Sequence, residues 1–199
     1  KKNPNIAALY NILGFSLQKN GQLNKAATHY EKALNIDPKF SFAHNNLGNL
    51  YKELGRFEEA LSHYESSIKL NPNYAEAYYN QALLYKKIRK YNKSIESFHN
   101  ALKIKPDYFD AHFDLGQVYT TVGKFNESIE SFQKTINLKP DFIPSYSNIF
   151  FTLLYMKEDK RNFFISLTKK FMSSQKKIDK SLLTINRYEK KPKKLRIGF

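Results

Sequence analysis

Cysteine is absent from the 199-residue chain, which excludes disulfide bonds and metal sites built from thiolates. Long hydrophobic runs are also missing: no stretch of about 18 apolar residues predicts a transmembrane helix, and no signal-peptide pattern is recognised. Of the seven glycines, six occur at repeated positions described below, and the one that remains is too few for a glycine-rich phosphate-binding loop. The lack of cysteine is compatible with a reducing compartment, and we therefore expect a cytoplasmic location.

Proline recurs every 34 residues, at Pro4, Pro38, Pro72, Pro106 and Pro140. Glycine follows the same period: in a 34-residue unit that begins at Ala7, three glycines take position 8 and three take position 15. A fixed period of this length is the signature of a helical repeat protein. The sequence therefore predicts four full units, at residues 7–40, 41–74, 75–108 and 109–142.

Two stripes of side chains recur within every unit. Spacings of three and four residues within each stripe indicate two amphipathic helices. Glycine at position 15 supplies the turn between them, except in the third unit, where Arg89 replaces it, and the proline at position 32 stops the second helix. In the second unit the stripes comprise His44, Leu47, Gly48, Tyr51, Ala60, Tyr64 and Ser67.

The repeated motif resembles the tetratricopeptide repeat. The resemblance covers residues 7–142 and implies an all-α fold, a right-handed α-solenoid in which antiparallel helix pairs stack and the first helix of each pair lines a concave groove. Such units bind other proteins, so extended protein segments are the expected partners and a homodimer is a further candidate. The residues that carry the resemblance are Asn46, Leu47, Gly48, Tyr51, Gly55, Phe57, Ala60, Tyr64 and Pro72.

The net charge of +15 is unevenly distributed along the chain. Residues 156–199 hold 14 lysines and arginines against 4 carboxylates, whereas the preceding residues hold 19 against 14. Positions 2, 6, 9 and 13 of each first helix point away from the buried stripe, and this face carries Glu53, Glu76, Asp110 and Asp114 against Lys19 and Lys87. Such a groove would repel phosphates, so a nucleic-acid partner is not favoured. The basic C-terminal part is best interpreted as a solvated surface or linker.

Position 6 forms a column of polar residues on the outward face. It holds Ile12 in the first unit and then Asn46, Asn80, Asp114 and Asn148, and Asn49 adds an amide at position 9. A side-chain amide offers both a donor and an acceptor, so regularly spaced amides can hydrogen-bond an extended peptide backbone. Asparagine is a poor helix former and has no capping role at this position. We therefore predict that these five polar residues, here called the asparagine ladder, bind peptide.

The repeat pattern ends after the fourth unit, since no proline follows Pro140 by 34 residues. Residues 143–156 predict a fifth first helix, and residues 161–177 a further charged helix. We divide the chain accordingly into repeats at 1–142, a terminal half-repeat with capping and transition helices at 143–180, and a basic linker with one strand at 181–199. A lone strand has no ladder partner, so the last segment is interpreted as the start of a truncated domain.

The ladder, the terminal helix and the final segment together resemble the O-linked N-acetylglucosamine transferase and SPINDLY family. Leu195-Arg196-Ile197-Gly198-Phe199 is similar to the Leu-Arg-Ile-Gly-Tyr segment that opens the catalytic part of these glycosyltransferases. The chain also starts in register without methionine, so we expect an internal fragment with further repeats before it. The resemblance implies that the parent protein uses a nucleotide sugar, UDP-GlcNAc or GDP-fucose. No catalytic, cofactor-binding or metal-ligating residue is assigned to the fragment itself.

The histidines do not indicate a competing chemistry. His44 and His112 share position 4, His29 and His63 share position 23, and no pair has the spacing of a helical zinc site. Packing or exposure is therefore the favoured role for the histidines.

Two functions are alternatives to substrate recruitment by a glycosyltransferase. One is a scaffold that carries repeats and no enzyme. The other is binding of a chaperone tail, which requires basic residues at positions 2 and 6 of a third repeat to grip a terminal carboxylate. Those positions hold Glu76 and Asn80, or Asp110 and Asp114 one unit later, so this function is discounted.

Overall fold

A computed structural model describes residues 4–156 and 161–174, and this part of the chain is helical throughout, with short turns between helices. Of the helices within the described residues, nine belong to one compact unit and a tenth to a second unit, residues 159–199. The predicted linker and strand at 181–199 lie outside the described residues. The helices are α1 Pro4–Lys19, α2 Leu23–Ile36, α3 Ser41–Glu53, α4 Phe57–Leu70, α5 Ala75–Lys87, α6 Tyr91–Ile104, α7 Phe109–Thr121, α8 Phe125–Leu138, α9 Ile143–Leu154 and α10 Arg161–Ser174.

The helices of the first unit stack as pairs in chain order. Each odd-numbered helix packs against the even-numbered helix that follows it, and each pair packs against the next. Successive odd-numbered helices also contact one another, whereas between residues 4 and 156 no two even-numbered helices do. The odd-numbered helices therefore form the inner surface of a right-handed α-solenoid, as the sequence predicts.

Each pair is held by a small residue that faces an aromatic ring. A Cβ atom added to Gly48 on α3 would lie 2.7 Å from a ring carbon of Tyr64 on α4, and Gly14 and Gly116 meet Tyr30 and Phe132 at the same distance. All three rings are fully buried. Glycine at position 8 thus lets the two helices approach closely enough to bury the ring at position 24.

Stacking on the preceding pair buries the other face of a first helix. Leu47 and Leu115 are 2% and 3% exposed, whereas Leu13, at the same position of the first repeat, is 41% exposed. Buried hydroxyl groups within the stack also find acceptors, because Ser94 donates a hydrogen bond to the carbonyl of Ala82 at 2.9 Å and Ser128 to that of Gly116 at 2.9 Å. These two buried hydroxyl groups are therefore satisfied by backbone oxygens of the neighbouring helix.

Left-handed residues make the turns within the repeats. Gly21, Gly55 and Gly123 have φ values of +72°, +76° and +76°. Arg89, which replaces glycine in the third repeat, takes the same conformation with a φ of +59°. A side chain in this region is strained because its Cβ crowds the following carbonyl oxygen.

We predict that Arg89→Gly stabilises the protein. The substitution removes about 1 kcal/mol of strain, partly offset by the greater freedom of glycine in the unfolded chain, which corresponds to a rise of up to about 2–4 °C in the melting temperature. Thermal unfolding of the two proteins measures this difference. Gly55→Ala in the second repeat is the matched reverse change, and it should lower the melting temperature. A destabilised Arg89→Gly variant would contradict the strain at this turn.

A pair of histidines joins α3 to α4. The Nδ1 atoms of His44 and His63 lie 3.0 Å apart, and His44 Nε2 lies 3.3 Å from the carbonyl oxygen of Pro38. Burial, and then the neighbouring His44, lowers the pKa of His63 to about 4, against the opposing effect of Glu59. Burial also lowers the pKa of His44. The folded protein is therefore most stable when both rings are neutral.

This pair predicts a loss of stability in mild acid. Because the pKa of His63 is lower in the folded chain than its usual value of 6.5, the unfolded chain binds the proton first, and stability falls as the pH drops from about 6.5 to about 4. Between about pH 7 and about pH 5, we expect the free energy of unfolding to fall by about 1 kcal/mol more in the native protein than in the His63→Ser variant, after allowance for partial exposure. Urea unfolding at the two pH values measures the difference. Equal losses of stability in the two proteins would show that His63 does not cause the acid sensitivity. Serine is compatible with the packing at this position, because the fourth repeat has His112 and Ser131 in the places of His44 and His63.

Candidate functional site

The ladder residues all lie on the first helices of the repeats. Asn46 and Asn49 are on α3, Asn80 on α5, Asp114 on α7 and Asn148 on α9. Each is half-buried. The sequence prediction placed them on an outward face, and the structure shows that this face is also where successive first helices meet.

Two ladder amides are hydrogen-bonded to the preceding repeat. Asn46 donates from Nδ2 to Oδ1 of Asn11 at 2.9 Å, and Asn80 donates in the same way to Asn45 at 3.0 Å. In both cases a residue at position 6 meets a residue at position 5 of the repeat before it, 35 residues earlier. These side chains thus connect neighbouring repeats, a role that the sequence prediction did not include.

The contact between the third and fourth repeats, from α5 to α7, uses a charged residue instead of an amide pair. The hydroxyl of Tyr79 donates to Asp114 at 2.9 Å, and Lys86 Nζ lies 2.8 Å from the other carboxylate oxygen. Lys86 also donates to Gln117 at 2.6 Å. Burial, and then the charge of Asp114, raises the pKa of Tyr79, so the phenol remains a hydrogen-bond donor. The charge of Asp114 is therefore balanced within the protein, and both of its carboxylate oxygens are engaged.

The amides retain groups that can bind a ligand. Asn46 and Asn80 use one N–H each, and their carbonyl oxygens have no partner among the described residues. Asn49 accepts a hydrogen bond from Tyr64 at 2.7 Å, which leaves its NH₂ group without a partner in the described part of the chain. An amide that is already oriented by one internal hydrogen bond loses less conformational freedom on binding a ligand than a free amide does. The inner surface is therefore pre-organised for hydrogen bonding.

A cavity of about 630 Å³ lies on this surface between α1, α3 and α5. It contains three lysines and one carboxylate, so the expectation of a groove rich in carboxylates does not hold here. Lys52, at position 12, was not considered in the sequence analysis, although its place three residues after Asn49 puts both on one helical face. The lining residues are Phe15, Gln18, Lys19, Asn46, Asn49, Lys52, Glu53, Leu83 and Lys87.

A second cavity of about 460 Å³ holds Asn148. Its walls are more apolar, with Phe125, Phe151 and Tyr155 beside the amide. The rings of Phe125 and Tyr155 stack with centroids 5.9 Å apart. Phe151 and Tyr155 are 51% and 55% exposed, so within residues 4–156 this apolar end of the groove is open to solvent. Asn148 is therefore not in the cavity that contains Asn46 and Asn49.

The histidines take packing roles. His99 hydrogen-bonds the hydroxyl of Tyr119 at 2.8 Å, and His112 Nε2 lies 2.8 Å from the carbonyl oxygen of Pro106. In the portion of the chain with described side chains, no three histidine or carboxylate residues lie close enough together to hold a metal ion. Within the same portion, no helix has the length and apolar character needed to cross a membrane. The segment Leu195–Phe199, on which the glycosyltransferase resemblance depends, lies outside the described residues.

Family models assign the repeats directly. Models described as tetratricopeptide repeat match residues 41–74, 63–96 and 109–142, and a model described as TPR repeat matches 16–55 and 90–123. Together they cover residues 16–142 without a gap, which is well over half of the chain. The chain belongs to the tetratricopeptide repeat family.

Solved structures of similar proteins have the same fold. A crystal structure of MamA superposes with a TM-score of 0.73 at 27% identity, over 86% of this chain and 93% of MamA. YrrB, described as a TPR protein with an unusual peptide-binding site, gives 0.67 at 20% identity over 85% of this chain and 86% of YrrB. PilF of Pseudomonas aeruginosa gives 0.73 at 19% identity over 85% of this chain and 77% of PilF. Comparison with curated proteins gives no match.

Proposed function

We propose that the repeat array is a scaffold without enzymatic activity of its own, which binds extended polypeptide along its inner surface. The observation that carries this proposal is the row of oriented amides at Asn46, Asn49 and Asn80. A polypeptide backbone presents alternating donors and acceptors, which is the pattern that such amides can pair with. The likeness to YrrB, with its described peptide-binding site, adds support for the same use of this fold.

The amides would recognise the backbone of the ligand more than its side chains. Asn46 and Asn80 are each held to the preceding repeat by one hydrogen bond, and Asn49 is held by Tyr64 of its own repeat. The remaining carbonyl or N–H group of each amide therefore points from a fixed position. Hydrogen bonds to backbone groups depend little on sequence, and selectivity must come from the cavities beside them. The open apolar cavity around Asn148, with Phe151 and Tyr155, is suited to an apolar side chain of the same ligand.

Recruitment of acceptor proteins for a glycosyltransferase is the second candidate. The ladder and the charged helix α10 are the features that favour it. The matched family models describe repeats alone, and the similar solved structures named above do not point to a glycosyltransferase. The scaffold is therefore better supported. Transfer of sugar from UDP-GlcNAc or GDP-fucose to protein by the full-length parent protein would favour the enzyme, and absence of transfer from both would oppose it.

The ladder predicts that Asn46→Ala combined with Asn80→Ala weakens peptide binding. Loss of two amide contacts should cost about 2 kcal/mol, or roughly 30-fold in Kd, for a blocked peptide of glycine, serine and glutamine. Fluorescence anisotropy of the labelled peptide measures the change. The matched control is Asn24→Ala with Asn92→Ala, which removes two exposed asparagines from the second helices and should leave Kd unchanged.

A further variant separates binding from repeat stacking. Asn11→Ala removes the partner of Asn46 in the preceding repeat and keeps Asn46 itself. We expect a smaller loss of affinity for Asn11→Ala than for Asn46→Ala, because only the orientation of the amide is affected. Unaltered binding by the Asn46 and Asn80 double variant would show that the ladder does not contact the peptide. Thermal unfolding of all variants verifies that they remain folded at the temperature of the assay.

A further inference from the structure

Four side-chain hydrogen bonds between successive first helices join residues that are 35 positions apart. Besides the two amide pairs and the Tyr79–Asp114 bond, Gln18 at position 12 of α1 donates to Glu53 at position 13 of α3, at 2.9 Å. One repeat further, the same two positions hold Lys52 on α3 and Lys87 on α5. Two cations therefore occupy the positions where the preceding repeat has a hydrogen-bonded amide and carboxylate.

Neither lysine has an ion-pair partner among the described residues. No described ion pair includes Lys52 or Lys87, and the hydrogen bond from Lys52 to Asn49 is long, at 3.5 Å. The neighbouring Lys86, by contrast, lies 2.8 Å from Asp114. The ammonium groups of Lys19 and Lys87 lie over aromatic rings, those of Phe15 and Phe57, each 5.2 Å from the centroid. The charge of Lys86 is thus balanced by a carboxylate, whereas the charges of Lys52 and Lys87 on this cavity wall are not.

The local environment opposes the charge of Lys52. Burial, followed by repulsion from Lys87, lowers the pKa of the Lys52 ammonium, and Glu53 compensates only in part. Glu53 is already engaged by Gln18. An anion placed between Lys52 and Lys87 would relieve their mutual repulsion and would replace the water that burial removes.

We propose that Lys52 and Lys87, with Lys19 on the same cavity wall, form the binding site for an acidic side chain of the bound polypeptide. The inference rests on the proposed function and adds a selectivity to it. Asn46 and Asn49 lie in the same cavity and would hold the backbone next to the carboxylate, while Leu83 and Phe15 would contact the methylene groups of the acidic residue. A carboxylate between two ammonium groups accepts charge-assisted hydrogen bonds from both.

A single acidic side chain fits this groove better than a nucleic acid. The three lysines are confined to the cavity between α1, α3 and α5, which also contains Glu53. Further along the inner surface the charges include Glu76 and Asp110. A polyanion that followed the groove would meet these carboxylates, whereas one glutamate or aspartate needs only the local cluster.

The test compares two blocked peptides that differ in charge alone, one of glycine, serine and glutamate and the other with glutamine in place of glutamate. At low ionic strength we expect the native protein to bind the glutamate peptide about tenfold more tightly, and the advantage to shrink in high salt. Lys52→Gln with Lys87→Gln should abolish the preference, because it weakens binding of the glutamate peptide more than that of the glutamine peptide. The matched control, Lys25→Gln with Lys69→Gln, removes two exposed lysines from the second helices and should keep the preference.

Equal affinity of the native protein for the two peptides would overturn the acidic site and leave polypeptide binding intact. A preference that survives in the Lys52 and Lys87 variant would also overturn it, as would tighter binding of a single-stranded RNA oligonucleotide through the same lysines. If neither peptide binds, the proposed function fails. A separate titration with glutarate, followed by NMR of the lysine side chains, then decides the anion site: shifts at Lys52 and Lys87 that exceed those at Lys25 support it, and their absence rejects it.

Discussion

The close approach of the two helices in each repeat is the constraint on which the rest of the structure depends. It requires a small residue at position 8 and a buried ring at position 24, as in the contact between Gly48 and Tyr64. Because each ring fills the space that a larger residue at position 8 would occupy, the helix pair has little freedom to slide or separate. Rigid pairs then stack with their first helices on one side, which creates the inner surface. The groove is a consequence of this packing, repeated every 34 residues.

Polar side chains on the inner surface serve the stacking of repeats and, in our account, the binding of ligand as well. The bonds from Asn46 to Asn11 and from Asn80 to Asn45 join neighbouring first helices and orient the amides at the same time. At the third step the tyrosine and lysine contacts of Asp114 use up its charge. At the Lys52 and Lys87 step the contact is missing, and the unbalanced charge faces the groove. The places where the internal network is incomplete are the places where a partner can add free energy of binding.

Most of the fold was predictable from the sequence, because a strict period turns weak helical signals into aligned columns. The turn at Gly55, the end of the second helix before Pro72 and the ring contact of Gly48 all follow from those columns. The site was less accessible. A helical projection shows which residues share a face, but the bonds of the ladder join position 6 to position 5 of another repeat, and that pairing depends on the superhelical offset between helices. Lys52, at position 12, lies next to the face defined by positions 2, 6, 9 and 13 and was not included in it. The glycosyltransferase resemblance depended on a segment outside the described residues, and the comparisons favour the scaffold.

The central claim is that polypeptide binds along the inner surface through the asparagine ladder. Side-chain amide NMR tests it most directly, because the chain carries its own control set of asparagines on the second helices. On addition of the blocked glycine, serine and glutamine peptide, the account predicts shifts of the Asn46, Asn49 and Asn80 amide signals, while those of Asn24 and Asn92, which are exposed on the second helices, stay unchanged. Shifts confined to the second-helix asparagines, or the absence of any ladder shift at saturating peptide, would contradict it.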